Sequence, residues 1–172
     1  MSRWEYRLSP KEEGLCAEIG YHRQSVYFGQ PERNRNYSEG DIWEMWQHSI
    51  AAGAELAAAR MFGLTEFVPS VNTYRSELDI PGYEIRYSFT YQGTHSLRYR
   101  IDLDNPDSTY ILIIGGPEHR AKRSAEDGYK APAYRAVGFI KGDLVPHTGK
   151  QITELLYRVP SQELYPMELI GA

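Results

Sequence analysis

The chain has 172 residues, with nineteen lysines and arginines against twenty-three aspartates and glutamates, a net charge of −4. That length suggests one domain able to bury about two-thirds of its unfolded surface, and a single cysteine, Cys16, excludes an internal disulfide framework or a structural zinc cluster. No apolar run approaches the roughly 18 residues of a membrane span, the N-terminus lacks the apolar core of a secretory signal, and the acidic balance argues against a broad cationic surface while leaving room for a local basic strip.

These features lead us to expect a soluble, cytoplasmic globular protein. Ser9-Pro10-Lys11-Glu12 has the spacing of a capping box with proline at the first helical position. It predicts a helix from about Pro10 to Tyr27, with Leu15, Ile19, His22 and Val26 on one stripe. The polar stretch Gln30 to Tyr37 reads as a loop. Asp41 to Phe62 reads as a second helix, with Trp43, Trp46, Ile50, Ala54, Ala57 and Met61 on its apolar face and Gly63 as its stop. Its second half is mostly alanine and glycine around one carboxylate, Glu55, so other backbone can pass close by.

After Gly63 the pattern changes to short runs of aromatic and β-branched residues separated by turn signals. Glu66 to Tyr74, Tyr83 to Tyr91 and Ser96 to Leu103 are expected to form a three-strand meander. Tyr110 to Gly115 is a fourth, more buried strand, and Tyr134 to Lys141 a fifth. Pro117 to Lys130 reads as a charged loop or short helix, and Gln151 to Tyr157 as a helical turn before a Pro-punctuated tail. The expected architecture is α+β: N-terminal helices, then a mostly antiparallel or mixed sheet of about five strands. Residues 1–38 would form the N-terminal helix and loop, 39–143 the core and 144–172 a C-terminal extension of one domain. The fourteen tyrosines favour a binding surface. The sequence assigns no oligomeric state.

One segment, Asp79-Ile80-Pro81-Gly82-Tyr83-Glu84-Ile85-Arg86, carries the strongest chemical signal. Residues two apart on a strand share a face, so Glu84 and Arg86 project together while Ile85 points inward. A tight bend at Pro81-Gly82 would return Asp79 beside Glu84. Adjacent carboxylates repel, and a hard divalent cation relieves that repulsion. A neighbouring cationic side chain can stabilise charge on a phosphate. The same residues also fit plainer roles. Glu84 and Arg86 can be a surface ion pair worth under about 1 kcal/mol, and Glu55 can cap a strand or pair with an arginine. The five histidines show no metal-ligand spacing.

Asp79 followed by Glu84-Ile85-Arg86 resembles the PD-(D/E)XK (restriction-endonuclease-like) nuclease signature, with arginine in the lysine position. Gly53-Ala54-Glu55-Leu56-Ala57 falls where that superfamily's preceding helix often carries a further glutamate. From about Trp46 to Asp143 the chain is similar to phage-encoded proteins of nuclease-like type. The resemblance implies Mg²⁺ or Mn²⁺ held by Asp79, Glu84 and the Ile85 carbonyl, with Glu55 binding directly or through water. It implies DNA as substrate, phosphodiester cleavage as the activity and a host cytoplasm as the location. Arg86 would orient phosphate, since arginine keeps its charge and is a poor general base. Two rival readings are a catalytically silent module that engages a host protein or nucleic acid, and a small structural or regulatory protein whose carboxylates make salt bridges.

Overall fold

A computed structural model describes residues 2–25, 41–71, 78–88, 95–115 and 133–171, with the backbone alone for 41–44. In chain order these residues form β1 (Glu5–Arg7), α1 (Pro10–Ser25), α2 (Asp41–Met61), β2 (Glu84–Ser88), β3 (Ser96–Arg100), β4 (Thr109–Gly115), β5 (Ala133–Lys141), α3 (Val145–Thr148), β6 (Lys150–Thr153) and β7 (Leu156–Pro160). The result is α+β, with two mostly antiparallel sheets of four and three strands.

Both long helices follow from local chemistry. At the start of α1, Ser9 Oγ accepts the Glu12 backbone N–H at 3.3 Å and the Glu12 carboxylate accepts the Ser9 N–H at 2.9 Å, closing the capping box. At the end of α2, Gly63 adopts φ 78°. The Leu64 and Gly63 N–H groups then bond the carbonyls of Ala59 and Arg60 at 2.9 and 3.0 Å. This six-to-one and five-to-two pairing satisfies carbonyls that a helix end leaves free. Residues 26–27 lie outside the described residues, as does the side chain of Trp43, while Trp46 packs against the core as expected.

The buried stripe of α1 differs from the one that periodicity predicts. Cys16, Ile19, Gly20, Arg23 and Gln24 face inward, whereas Leu15 is half-buried and His22 is exposed. The stripe turns toward Arg23 because that arginine finds a carboxylate on α2, so a charge can lie on the inner face. The helices also approach closely: a Cβ on Gly20 would come within 2.6 Å of the Ser49 backbone nitrogen.

The larger sheet has the order β1-β5-β4-β2, with β4 antiparallel to β5 and parallel to β2. The smaller has the order β3-β7-β6 and is antiparallel throughout. This corrects the expected meander and the single five-stranded sheet. Residues 66–71 form no strand (72–74 lie outside the described residues), and β2 and β3 belong to different sheets. Burial explains the outcome. The run Tyr110 to Ile114 is apolar on both faces, which suits a central strand covered on both sides. Ile111 and Ile113 join the helix-side core with Leu56, Ile85 and Tyr134. Tyr110, Leu112 and Ile114 join the other core with Leu97, Tyr99, Ile140 and Val159. The four-stranded sheet is therefore the middle layer.

The expected helical turn at Gln151 to Tyr157 is replaced by the hairpin β6–β7. Its inward residues Tyr157 and Val159 cover the second core, and two-residue alternation therefore prevails over the local helical reading.

Candidate functional site

The Pro81-Gly82 bend forms as the residue types require. Ile80 and Tyr83 exchange backbone hydrogen bonds of 3.1 and 3.0 Å across it. Gly82 takes φ 90°, the positive value demanded at the third position of a type II turn. The turn places Asp79 beside the start of β2, where its Oδ2 accepts the Ile85 N–H at 2.8 Å. Ile85 itself points to the helix-side core. Glu84 and Arg86 project from the opposite face of β2, where the Asp79 and Glu84 carboxylates both approach Arg86.

Arg86 is the centre of the cluster. Its Nη2 donates to Asp104 Oδ1 at 2.7 Å, and its Nη1 lies 3.5 Å from Glu84 and 3.8 Å from Asp79. Nη1 also donates to the Ile85 carbonyl at 3.2 Å. The guanidinium stands over the Tyr110 ring, 4.9 Å from its centroid, a favourable cation–π arrangement. Asp104 is fixed in turn, since its Oδ2 accepts the Arg100 N–H at 2.7 Å. Asp104 reads in the sequence as a turn residue after β3. Its role becomes visible only when β3, in the second sheet, brings the loop alongside β2, although its place between an arginine-rich strand and Asn105-Pro106 left a carboxylate in view.

The electrostatics follow from this crowding. Burial, then the charge and hydrogen bond of Asp79, push the Glu84 carboxyl from its ordinary 4.5 up to about 7, with Arg86 acting in the opposite direction. Burial also works against the charge on Arg86, but Asp104, Asp79 and Glu84 outweigh it and hold the guanidinium above its usual range. The Glu84 carboxyl therefore exchanges its proton near neutral pH.

Glu55 has a separate partner. Arg23 grips both of its oxygens, at 2.9 and 2.8 Å, and donates through Nε to the Ser70 carbonyl at 2.8 Å. The pair is buried between α1 and α2 on the helix side of the sheet. The plainer expectation, an arginine partner for Glu55, is thus met. Among the described residues no group of three or more histidine, cysteine, aspartate or glutamate side chains is arranged to hold a metal.

Of the expected donors, the Asp79–Glu84 pair suits a divalent cation: two hard oxygen ligands whose mutual repulsion a cation would remove. The Ile85 carbonyl is engaged by Arg86 and the Glu55 carboxylate by Arg23. Cys16 offers no alternative chemistry, because burial pushes its thiol up to about 12. No described helix is long and apolar enough to cross a membrane. Comparison with protein-family models, curated proteins and solved structures finds no match.

Proposed function

We propose that the chain is a metal-dependent nuclease-like protein that cleaves phosphodiester bonds in DNA, built on a restriction-endonuclease-like core. The observation that carries this reading is the convergence of the Asp79 and Glu84 carboxylates on Arg86, 3.8 and 3.5 Å from its Nη1. A glutamate-bearing helix precedes this turn and strand in the chain, as in the resemblance drawn from sequence. Asp79 and Glu84 would hold Mg²⁺ or Mn²⁺, which when bound lowers the pKa of a coordinated water. Arg86, always charged, binds and orients a phosphate and does not abstract a proton. To do so it exchanges part of its contact with Glu84 and Asp79, at 3.5 and 3.8 Å, while keeping the 2.7 Å bond to Asp104. Glu55, paired with Arg23 on the helix side of the sheet, supports the fold in this reading and does not reach the metal.

A second reading has its own support. Arg86 is surrounded by three carboxylates and Glu55 is fully paired, which suits a catalytically silent module that engages a host protein or nucleic acid. Cleavage assays on single- and double-stranded DNA with Mn²⁺ separate the two. The nuclease reading expects cleavage by wild type, its retention in Arg86→Lys and its loss in Glu84→Ala. No cleavage by wild type or Arg86→Lys on either substrate, with the fold intact, establishes the silent module instead.

A further inference from the structure

The outer face of the three-stranded sheet carries a row of positive charge. In the β3–β7 register Arg98 stands opposite Arg158, and in the β6–β7 register Lys150 stands opposite Arg158. Leu97 and Val159, which neighbour them in sequence, point into the core, so the three cations share the solvent face. Adjacent strands are about 4.8 Å apart, so the row spans about 10 Å. None of the three has an ion-pair partner among the described residues. The nearest acid along β3, Asp102, is held by Arg100 at 2.6 and 3.0 Å. The Nε of Arg158 is buried and makes no hydrogen bond.

Like charges directly across a sheet destabilise it. Edge strands do use lysine and arginine to block sheet-to-sheet pairing, which suffices for Arg98 on β3 and Lys150 on β6. It does not explain Arg158, because β7 is the central strand and has no free edge. A third cation there, in a chain of net charge −4, makes sense when an anion lies across the row.

We propose that this face binds the phosphate backbone of a nucleic-acid strand, with Arg98, Arg158 and Lys150 each meeting a phosphate. Three successive phosphates of one strand, at about 3.4 Å of rise, span about 7 Å along the axis and so fit within the row. The loop that leaves β3 links the row to the candidate site: Arg98 on β3 is six residues before Asp104, which bonds Arg86 at 2.7 Å. That this strand is the one being cleaved rests on the nuclease reading, whereas the binding itself does not.

The test is fluorescence anisotropy of short labelled single- and double-stranded DNA in EDTA, titrated with salt. Three phosphate contacts predict a log–log salt slope of about −2 on single strands and about −3 on duplex. Arg98→Gln/Arg158→Gln/Lys150→Gln should abolish the slope and lose binding by about tenfold or more at low salt, while Arg98→Lys/Arg158→Lys should keep it. Arg98→Gln/Lys150→Gln changes exposed residues alone, so its loss of affinity counts even if the triple variant folds poorly. Lys11→Gln, an exposed cation on α1, should bind as wild type. Wild type that ignores DNA at low salt, Gln variants that bind undiminished, or binding to phosphatidylserine vesicles alone would overturn the proposal. Binding without cleavage would support it and defeat only the nuclease reading.

Discussion

Replacing Glu84 with glutamine isolates the energetic consequence of placing its carboxyl beside Asp79. The folded protein holds Glu84 at about 7 against an ordinary 4.5. Between those values the native state binds a proton that the unfolded state has released, so stability falls as pH rises through this window. Moving a carboxyl that far corresponds to about 3 kcal/mol between its two protonation states. The side chain is 20% exposed, so solvent screening reduces the observable to about 1–2 kcal/mol. For a chain of 172 residues that is about 2–8 °C in Tm. Thermal unfolding in EDTA from pH 4 to 8.5 should show wild type and Glu84→Gln equally stable at the acid end. Wild type should then fall behind between about 4.5 and 7, and the gap should stay constant above. Parallel curves across the whole range would refute the crowding argument, as would a wild type that gains on the variant with rising pH.

Other substitutions probe the fold and the separate place of Glu55. Glu55→Gln leaves Arg23 buried without a counter-charge and should cost about 3–5 kcal/mol in urea unfolding, whereas Arg23→Met/Glu55→Leu should recover most of it. A Glu55→Gln protein of unchanged stability that has lost Mn²⁺-dependent cleavage would instead place this carboxylate at the reaction. Gly53→Ala drives a methyl group into the Tyr134 ring at 2.8 Å from Cζ and should lower stability by about 1–3 kcal/mol, but should add no further loss to a variant in which Tyr134 is already truncated. Ser9→Ala, which opens the capping box, should cost about 1 kcal/mol by the same measurement.

The elements legible in the sequence are those whose determinants are local. The Ser9–Glu12 box, the glycine stop of α2, the unbroken apolar run of β4 and the Pro81-Gly82 turn depend on neighbours a few residues away, and each forms. The juxtaposition of Asp79 and Glu84 was readable for the same reason. What the pattern could not reveal depends on distant partners. The inner face of α1 turns toward Arg23 because Glu55 is 32 residues further on. Strand β3 leaves the expected meander because β7, near the C-terminus, completes its sheet. Asp104 enters the site only through that rearrangement.

The central claim is that the Asp79–Glu84 pair is a divalent-cation site, and a crystal soaked in Mn²⁺ tests it most directly. The account predicts one strong anomalous peak bridging the two carboxylates, with Arg86 still bonded to Asp104, and no such peak in crystals of Asp79→Asn/Glu84→Gln. A peak elsewhere, or a soaked crystal with no metal between these carboxylates at saturating Mn²⁺, would contradict it.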